Sequence, residues 1–256
     1  MRALRAEEYA FGSWMEFYLD YSNSAGHYTV EGRRYERHPG VFPARDLWMP
    51  WQLSRLKSLF PRRGKLLEIG TGMGILGLEA VLKCGVEQAT LVDLSEAAVK
   101  NALVNAEKLG VADKVQVRLS DLFEAVSNDE QFDLILWNDP GWEPMVPRDN
   151  GTPSVRSIRQ AHEKKDALLD KFFEGCRRRL APGGRCVVVY WKTSLHSRPF
   201  QSCLLDTPNR LAAKHGWKPL PLTADDFLCF EVAGTEAALG YKAYYLAAVL
   251  VYGGEQ

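Results

Sequence analysis

Four clusters in this chain carry residue types that can do chemistry. Glu68-Ile69-Gly70-Thr71-Gly72-Met73-Gly74 sets a carboxylate ahead of three alternating glycines. Glycines let a backbone approach a ligand closely and adopt positive φ. Asp93 ends Leu91-Val92-Asp93, 25 residues after Glu68. An acid there can accept both hydroxyls of a ribose. Ser120-Asp121-Leu122-Phe123 supplies another acid. Asn138-Asp139-Pro140-Gly141-Trp142 then places an amide, a carboxylate and a flat indole within five residues. Such an oxygen can hold an amine with its lone pair directed at an electrophile, and an indole face stabilises a cation by about 0.5–2 kcal/mol.

These clusters need elements beneath them. Lys65 to Gly70 reads as a buried strand running into the glycines, and Ile75 to Cys84 as the helix they open. Ala89 to Asp93 reads as a strand. Ser95 can cap a helix whose Val99, Ala102, Leu103, Ala106 and Leu109 share a face, ended by Gly110. Val115 to Leu119 and Phe132 to Trp137 read as strands. Leu168, Leu169, Phe172, Phe173, Cys176 and Leu180 form a helical stripe stopped by Pro182-Gly183-Gly184, and Cys186 to Trp191 reads as a further strand. This rhythm predicts βαβ units and a mainly parallel sheet covered on both faces. Phe200 to His215 could be a helix; Trp217 to Leu222 and Phe227 to Val232 could be strands. Ala243 to Tyr252, long and apolar, could insert antiparallel into the sheet.

The first 60 residues hold 12 of the 28 aromatic residues. That density, with the Pro61-Arg62-Arg63-Gly64 break, suggests a cap or lid over residues 1–60 and a catalytic domain over 61–256. Tyr9, Trp14, Phe17, Tyr18 and Tyr21 fall roughly on one helical face.

The chain has 256 residues, of which 46% are hydrophobic and 25% charged, with 32 basic against 32 acidic residues. Zero formal charge argues against a nucleic-acid partner, which normally calls for a basic excess. No apolar run approaches a membrane span, and the first residues lack a signal-peptide core. The five cysteines show no Cys-x-x-Cys spacing. No disulfide framework or metal site is therefore expected, and a reducing cytoplasm fits. Arg177-Arg178-Arg179 suits a helix carboxyl end. His162, beside Glu163, reads as a surface group.

Gly72-Met73-Gly74-Ile75-Leu76-Gly77 also fits the dinucleotide fingerprint, so the ligand must be argued. Glu68 suits the ammonium of an amino-acid cofactor and would repel a pyrophosphate, which favours S-adenosylmethionine (SAM). Asp93 suits either ligand. A glycine turn alone would not require acids after three strands. Here the chain resembles the class I SAM-dependent methyltransferases. Glu68 to Gly74 looks like their first motif, Leu91 to Leu94 their second and Ser120 to Phe123 their third. The resemblance implies a Rossmann-like fold with a seven-stranded sheet. It implies cofactor contacts from Glu68, Gly70, Thr71, Gly72, Gly74, Asp93, Leu94, Asp121, Leu122 and Asn138.

The segment at 138–142 resembles the Asn-Pro-Pro-Tyr and Asp-Pro-Pro-Tyr motifs of amino-methylating enzymes, with the HemK-like glutamine methyltransferases and small-domain N-methyltransferases nearest. Two registers are open. One puts Asn138 on the motif's Asn; the other aligns Asp139-Pro140-Gly141-Trp142 with Asp-Pro-Pro-Tyr. Asn138, Asp139, Pro140 and Trp142 are the candidate catalytic residues. The expected activity is SAM-dependent N-methylation of a small molecule, with no nucleic-acid or membrane partner. Protein glutamine methylation remains open. So does cyclisation of SAM itself, as in the azetidine-2-carboxylate synthases, with which the sequence is also compatible; a SAM-binding module without catalysis is a further alternative.

Overall fold

Leu66, Leu67 and Ile69 are all buried, because their strand is covered on both faces and has no solvent side for polar residues. The computed structural model describes residues 3–4, 24–42, 49–60, 64–139, 164–194, 201–232 and 243–254. Tyr9, Trp14, Phe17, Tyr18, Tyr21, Pro140, Trp142 and His162 lie outside these residues.

The strands are β1 (Ala3–Leu4), β2 (Gly26–Val30), β3 (Arg33–Arg37), β4 (Lys65–Ile69), β5 (Gln88–Asp93), β6 (Val115–Leu119), β7 (Phe132–Asn138), β8 (Leu180–Ser194), β9 (Trp217–Pro219), β10 (Phe227–Val232) and β11 (Ala243–Gly254). The helices are α1 (Met49–Lys57), α2 (Ile75–Lys83), α3 (Glu96–Lys108), α4 (Lys165–Arg179) and α5 (Gln201–Lys214). The main sheet runs β1-β10-β11-β8-β7-β4-β5-β6, with β9 paired to β11. The seven strands from β10 to β6 and the shorter β9 were all expected, and only the two-residue β1 is added to them. β11 is antiparallel to both β8 and β10, as its length and apolarity suggested. Successive strand residues alternate between two cores. Leu66, Leu134, Leu136, Val187 and Val189 join α1, α2 and α3, while Leu67, Ile135, Trp137, Cys186 and Val188 join α4 and α5. Burying Phe172 and Phe173 of α4 completely contributes about 1.5–3 kcal/mol each.

Local chemistry accounts for the boundaries. Ser95 caps α3 by accepting the Ala98 amide. β9 stops short of the expected Leu222 because Pro219 and Pro221 remove ladder donors. β8 begins six residues before Cys186. Pro182-Gly183-Gly184 does not end that strand; the register against β7 shifts there, with Gly183 at φ 77°.

The hairpin of β2 and β3 and the helix α1 were not expected. The hairpin turns on Glu31 and Gly32, both at positive φ, the geometry of a two-residue loop that matches strand twist. The charged sequence of β3 hides it, since only Tyr35 of that strand is buried. Val30, Tyr35, Val41, Leu53, Leu56 and Phe60 share the core of α2 and α3. The described part of the first 60 residues therefore packs into the sheet domain.

Gly77 seats α2 against the sheet. A Cβ there would lie 2.2 Å from Leu91 Cδ2 and 2.7 Å from Glu68 Oε2. Gly77→Ala is expected to lower the unfolding free energy by about 1–3 kcal/mol, read from urea denaturation; an unchanged midpoint and slope would refute this packing account.

Candidate functional site

β4 and β7 are neighbours, but the chain leaves them in opposite directions across the sheet: β5 and β6 lie beyond β4, and β8 beyond β7. That is a topological switch point, where open α/β sheets bind ligands at the carboxyl ends of their strands. Ile69 pairs with Trp137, so Gly70 and Asn138 leave the two strands side by side.

The glycine loop is built from beneath. Glu68 is 2% exposed. Its Oε2 accepts the Thr71 hydroxyl and the Gly77 amide, both at 2.9 Å. Burial pushes its carboxyl up to about 8, against the lowering effect of those two bonds. At neutral pH it is therefore mainly protonated, and its visible contacts hold the loop to α2. Gly70 and Thr71 donate to the Val92 carbonyl, and Gly74, at φ 82°, opens the helix.

Asp93 stands at the end of β5. Its Oδ2 accepts the Gly72 amide at 2.8 Å and its Oδ1 the Ser95 amide at 2.9 Å. Burial raises its pKa, and these amides pull it down. Each oxygen keeps a second lone pair, so the carboxylate can accept two ribose hydroxyls while still holding the loop. Leu94 is 46% exposed beside it, suited to the flat face of a base. Asp121 is exposed after β6. The next residue, Leu122, has φ 48°. Ser120 holds that turn: its hydroxyl donates to the Leu122 carbonyl and accepts the Ala125 amide. Ser120 had been read only as part of the motif. Its positioning role shows only once the turn is folded. This set fits the nucleoside of SAM: a glycine cradle, a carboxylate with free lone pairs, an exposed leucine and a second acid.

At the end of β7, Asn138 Oδ1 accepts from Gln52 Nε2 at 2.9 Å and Trp191 Nε1 at 3.2 Å. Asp139 is buried, and its Oδ2 lies 2.9 Å from Lys165 Nζ. Lys165 also donates to the Trp191 carbonyl and sits 4.0 Å from the centre of the Tyr190 ring. Tyr190 and Trp191 thus border the site from opposite faces of β8. Gln52 and Lys165 were not singled out in the sequence. A glutamine on a polar helix and a lysine in a charged run carry no local signal of burial.

The fold is a Rossmann-like α/β sheet, the architecture of the solved structure described below, with acids at its strand ends. Residues 34–148 match the family model of the methyltransferase small domain, so the resemblance read from the motifs holds. The release factor glutamine methyltransferase of Bordetella pertussis is 30% identical over 129 residues, 47% of this chain and 45% of its own. That of Cereibacter sphaeroides is 31% identical over 48% of this chain and 45% of its own. The chain thus spans about half the length of the curated relatives it matches. The structure of M. jannaschii TYW2 in complex with AdoMet superposes with a TM-score of 0.52 at 13% identity, covering 88% of this chain and 85% of that one; this likeness is one of fold.

One expectation is overturned. A small-molecule acceptor, with nucleic acid excluded, does not agree with relatives named for protein and RNA acceptors. Besides the release factor enzymes these include the ribosomal protein L11 methyltransferase of Brevibacillus brevis and the ribosomal RNA small subunit methyltransferase C of Escherichia coli. Zero net charge misled because it sums over the chain, whereas a macromolecular acceptor is met by a local surface. Among the described residues, no helix is long and apolar enough to cross a membrane.

Asp93→Ala is expected to weaken SAM binding at least tenfold in calorimetry with the fold retained; equal affinity would remove Asp93 from the cofactor site. Glu68 gives a pH signature. Its folded pKa lies above its unfolded one, so between about pH 4.5 and 8 the folded state binds the extra proton. Stability therefore falls as pH rises through that window. Glu68→Gln should flatten this fall by roughly 2–4 kcal/mol in urea melts at pH 5, 6.5 and 8.

Proposed function

We propose that the chain is a SAM-dependent N-methyltransferase acting on the side-chain amide of a glutamine in a protein acceptor. The observation that carries this reading is the juxtaposition at the switch point, where Asn138 leaves β7 beside the Gly70 loop on β4. The names of the relatives support the acceptor class.

The chemistry supplied by bound SAM is an electrophilic methyl on a sulfonium. Transfer of that methyl carbon to the amide nitrogen would break the sulfur–carbon bond, leave the sulfur as a thioether and release an amide N–H proton to solvent. An amide nitrogen is a weak nucleophile, because its lone pair is shared with the carbonyl. Orientation must therefore supply much of the rate. Asp93, with Leu94, Asp121 and Leu122, would hold the nucleoside, while Gly70, Thr71, Gly72 and Gly74 shape the loop along it. Asn138 and its partners Gln52 and Trp191 would frame the nitrogen. Asp139, neutralised by Lys165, fixes the strand end from which Pro140 and Trp142 continue. By residue type alone, Pro140 and Trp142 are proposed to meet the acceptor.

The test incubates the purified protein with SAM and a purified bacterial release factor, with mass spectrometry of the factor and separation of the nucleosides. One methyl on a glutamine and an equal yield of S-adenosylhomocysteine are expected. Asn138→Ala removes the acceptor that holds Gln52 and Trp191 and should slow this turnover by one to two decades, the equivalent of about 1.5–3 kcal/mol, with SAM affinity changed less. Methylthioadenosine formed from SAM alone would replace the reading with ring closure of the cofactor.

A further inference from the structure

We propose that Gln52 Oε1 accepts a hydrogen bond from the N–H of the bound acceptor amide, which makes Gln52 a substrate-binding residue. This rests on the reading of the chain as an amide N-methyltransferase.

The argument begins at Trp191. An indole N–H only donates, so the Asn138 atom facing it is the oxygen. A carbonyl oxygen has two lone pairs, and Gln52 Nε2 takes the second. Asn138 Oδ1 is thus occupied by two protein donors and is not free to receive a substrate N–H. The same contacts fix the Gln52 amide: its nitrogen must face Asn138, which turns its oxygen away. That oxygen is buried, Gln52 is 0% exposed, and Oε1 has no hydrogen-bond partner among the described residues. Buried polar atoms are nearly always partnered in native proteins. An orphaned buried acceptor beside the end of β7 therefore points to a ligand that brings a donor.

Position supports this. Gln52 lies on α1, which Trp51 anchors through the Asp225 carbonyl and Arg55 through the Asp226 carboxylate. Trp51 meets the Trp191 ring edge-on, with centroids 6.3 Å apart. The amide is thus held rigidly beside the end of β7. A neutral carbonyl oxygen suits a neutral amide N–H, and it strengthens its bond as positive charge develops on the nitrogen. The role the sequence assigned to the Asn138 oxygen passes one amide further, to Gln52.

The experiment uses propionamide, which has the size and amide of a glutamine side chain, and butanone, which has a similar shape without an N–H. With the wild-type protein saturated with S-adenosylhomocysteine, saturation-transfer NMR should show propionamide at least fivefold above butanone. Gln52→Met should abolish that excess while S-adenosylhomocysteine affinity stays within twofold, which also shows the variant is folded. Equal transfer to the two ligands in the wild type would overturn the proposal without any variant. A Gln52→Met protein that keeps the excess would overturn it too. A tenfold loss of S-adenosylhomocysteine affinity would assign Oε1 to the cofactor instead. Release factor methylation separates the two readings. If Gln52→Met methylates the factor at the wild-type rate, the Gln52 assignment fails and the function stands. If the wild type selects propionamide through Gln52 yet leaves the factor unmethylated, the protein acceptor fails and Gln52 stands.

Discussion

Glu68 is a carboxyl group sealed under the glycine loop, joined through one oxygen to the Thr71 hydroxyl and the Gly77 amide. An isolated ionised carboxylate in that place would be costly to bury; a neutral one with two hydrogen bonds is not. Burial resolves the matter by raising its pKa. The loop above it can then curve tightly, α2 can sit within contact of β4 and β5, and the Gly72 amide is delivered to Asp93. The cofactor cradle and the helix behind it thus hang on one buried proton-bearing group and on the missing side chain at Gly77.

The hairpin is coupled to the same loop through α3. Asn105 Nδ2 donates to the carbonyls of both Glu36 and Met73, and its Oδ1 accepts the Glu36 amide. Asn101 accepts the His38 amide and donates to Glu36. Glu79, fully buried on α2, takes Arg33 and the Tyr35 hydroxyl. Such buried polar contacts add little net stability, but each is strongly penalised if left unpaired. They therefore fix where the hairpin docks more than how tightly. The chain then runs on to α1, whose docking sets Gln52 against Asn138.

The end of β7 shows a division of labour that residue types alone conceal. Asn138 and Asp139 are adjacent and both carry side-chain oxygens, yet consecutive strand residues point to opposite faces. Asn138 meets α1 and Trp191; Asp139 meets Lys165 of α4. The lysine lies over Tyr190, the residue before Trp191 and on its opposite face. One strand end thus offers an amide network on one side and a neutralised ion pair on the other.

The sequence by itself determined the sheet, because the signals that form it are local. Apolar runs at Leu66, Leu91, Leu134 and Val187, glycines at the loop and a serine cap at Ser95 each act within a few residues. It also determined which strand ends carry acids, and with them the cofactor class. Tertiary structure alone decided what the acids and amides do. Glu68 is neutral because packing removes its water, and Ser120 is a brace because Leu122 adopts positive φ. Gln52 reaches Asn138 across 86 positions of chain, and no spacing rule spans that distance. The hairpin stayed hidden for a related reason. Its charged strand β3 reads as solvent-exposed until Glu79, Asn101 and Asn105, from two helices far along the chain, supply partners for its backbone and its arginine.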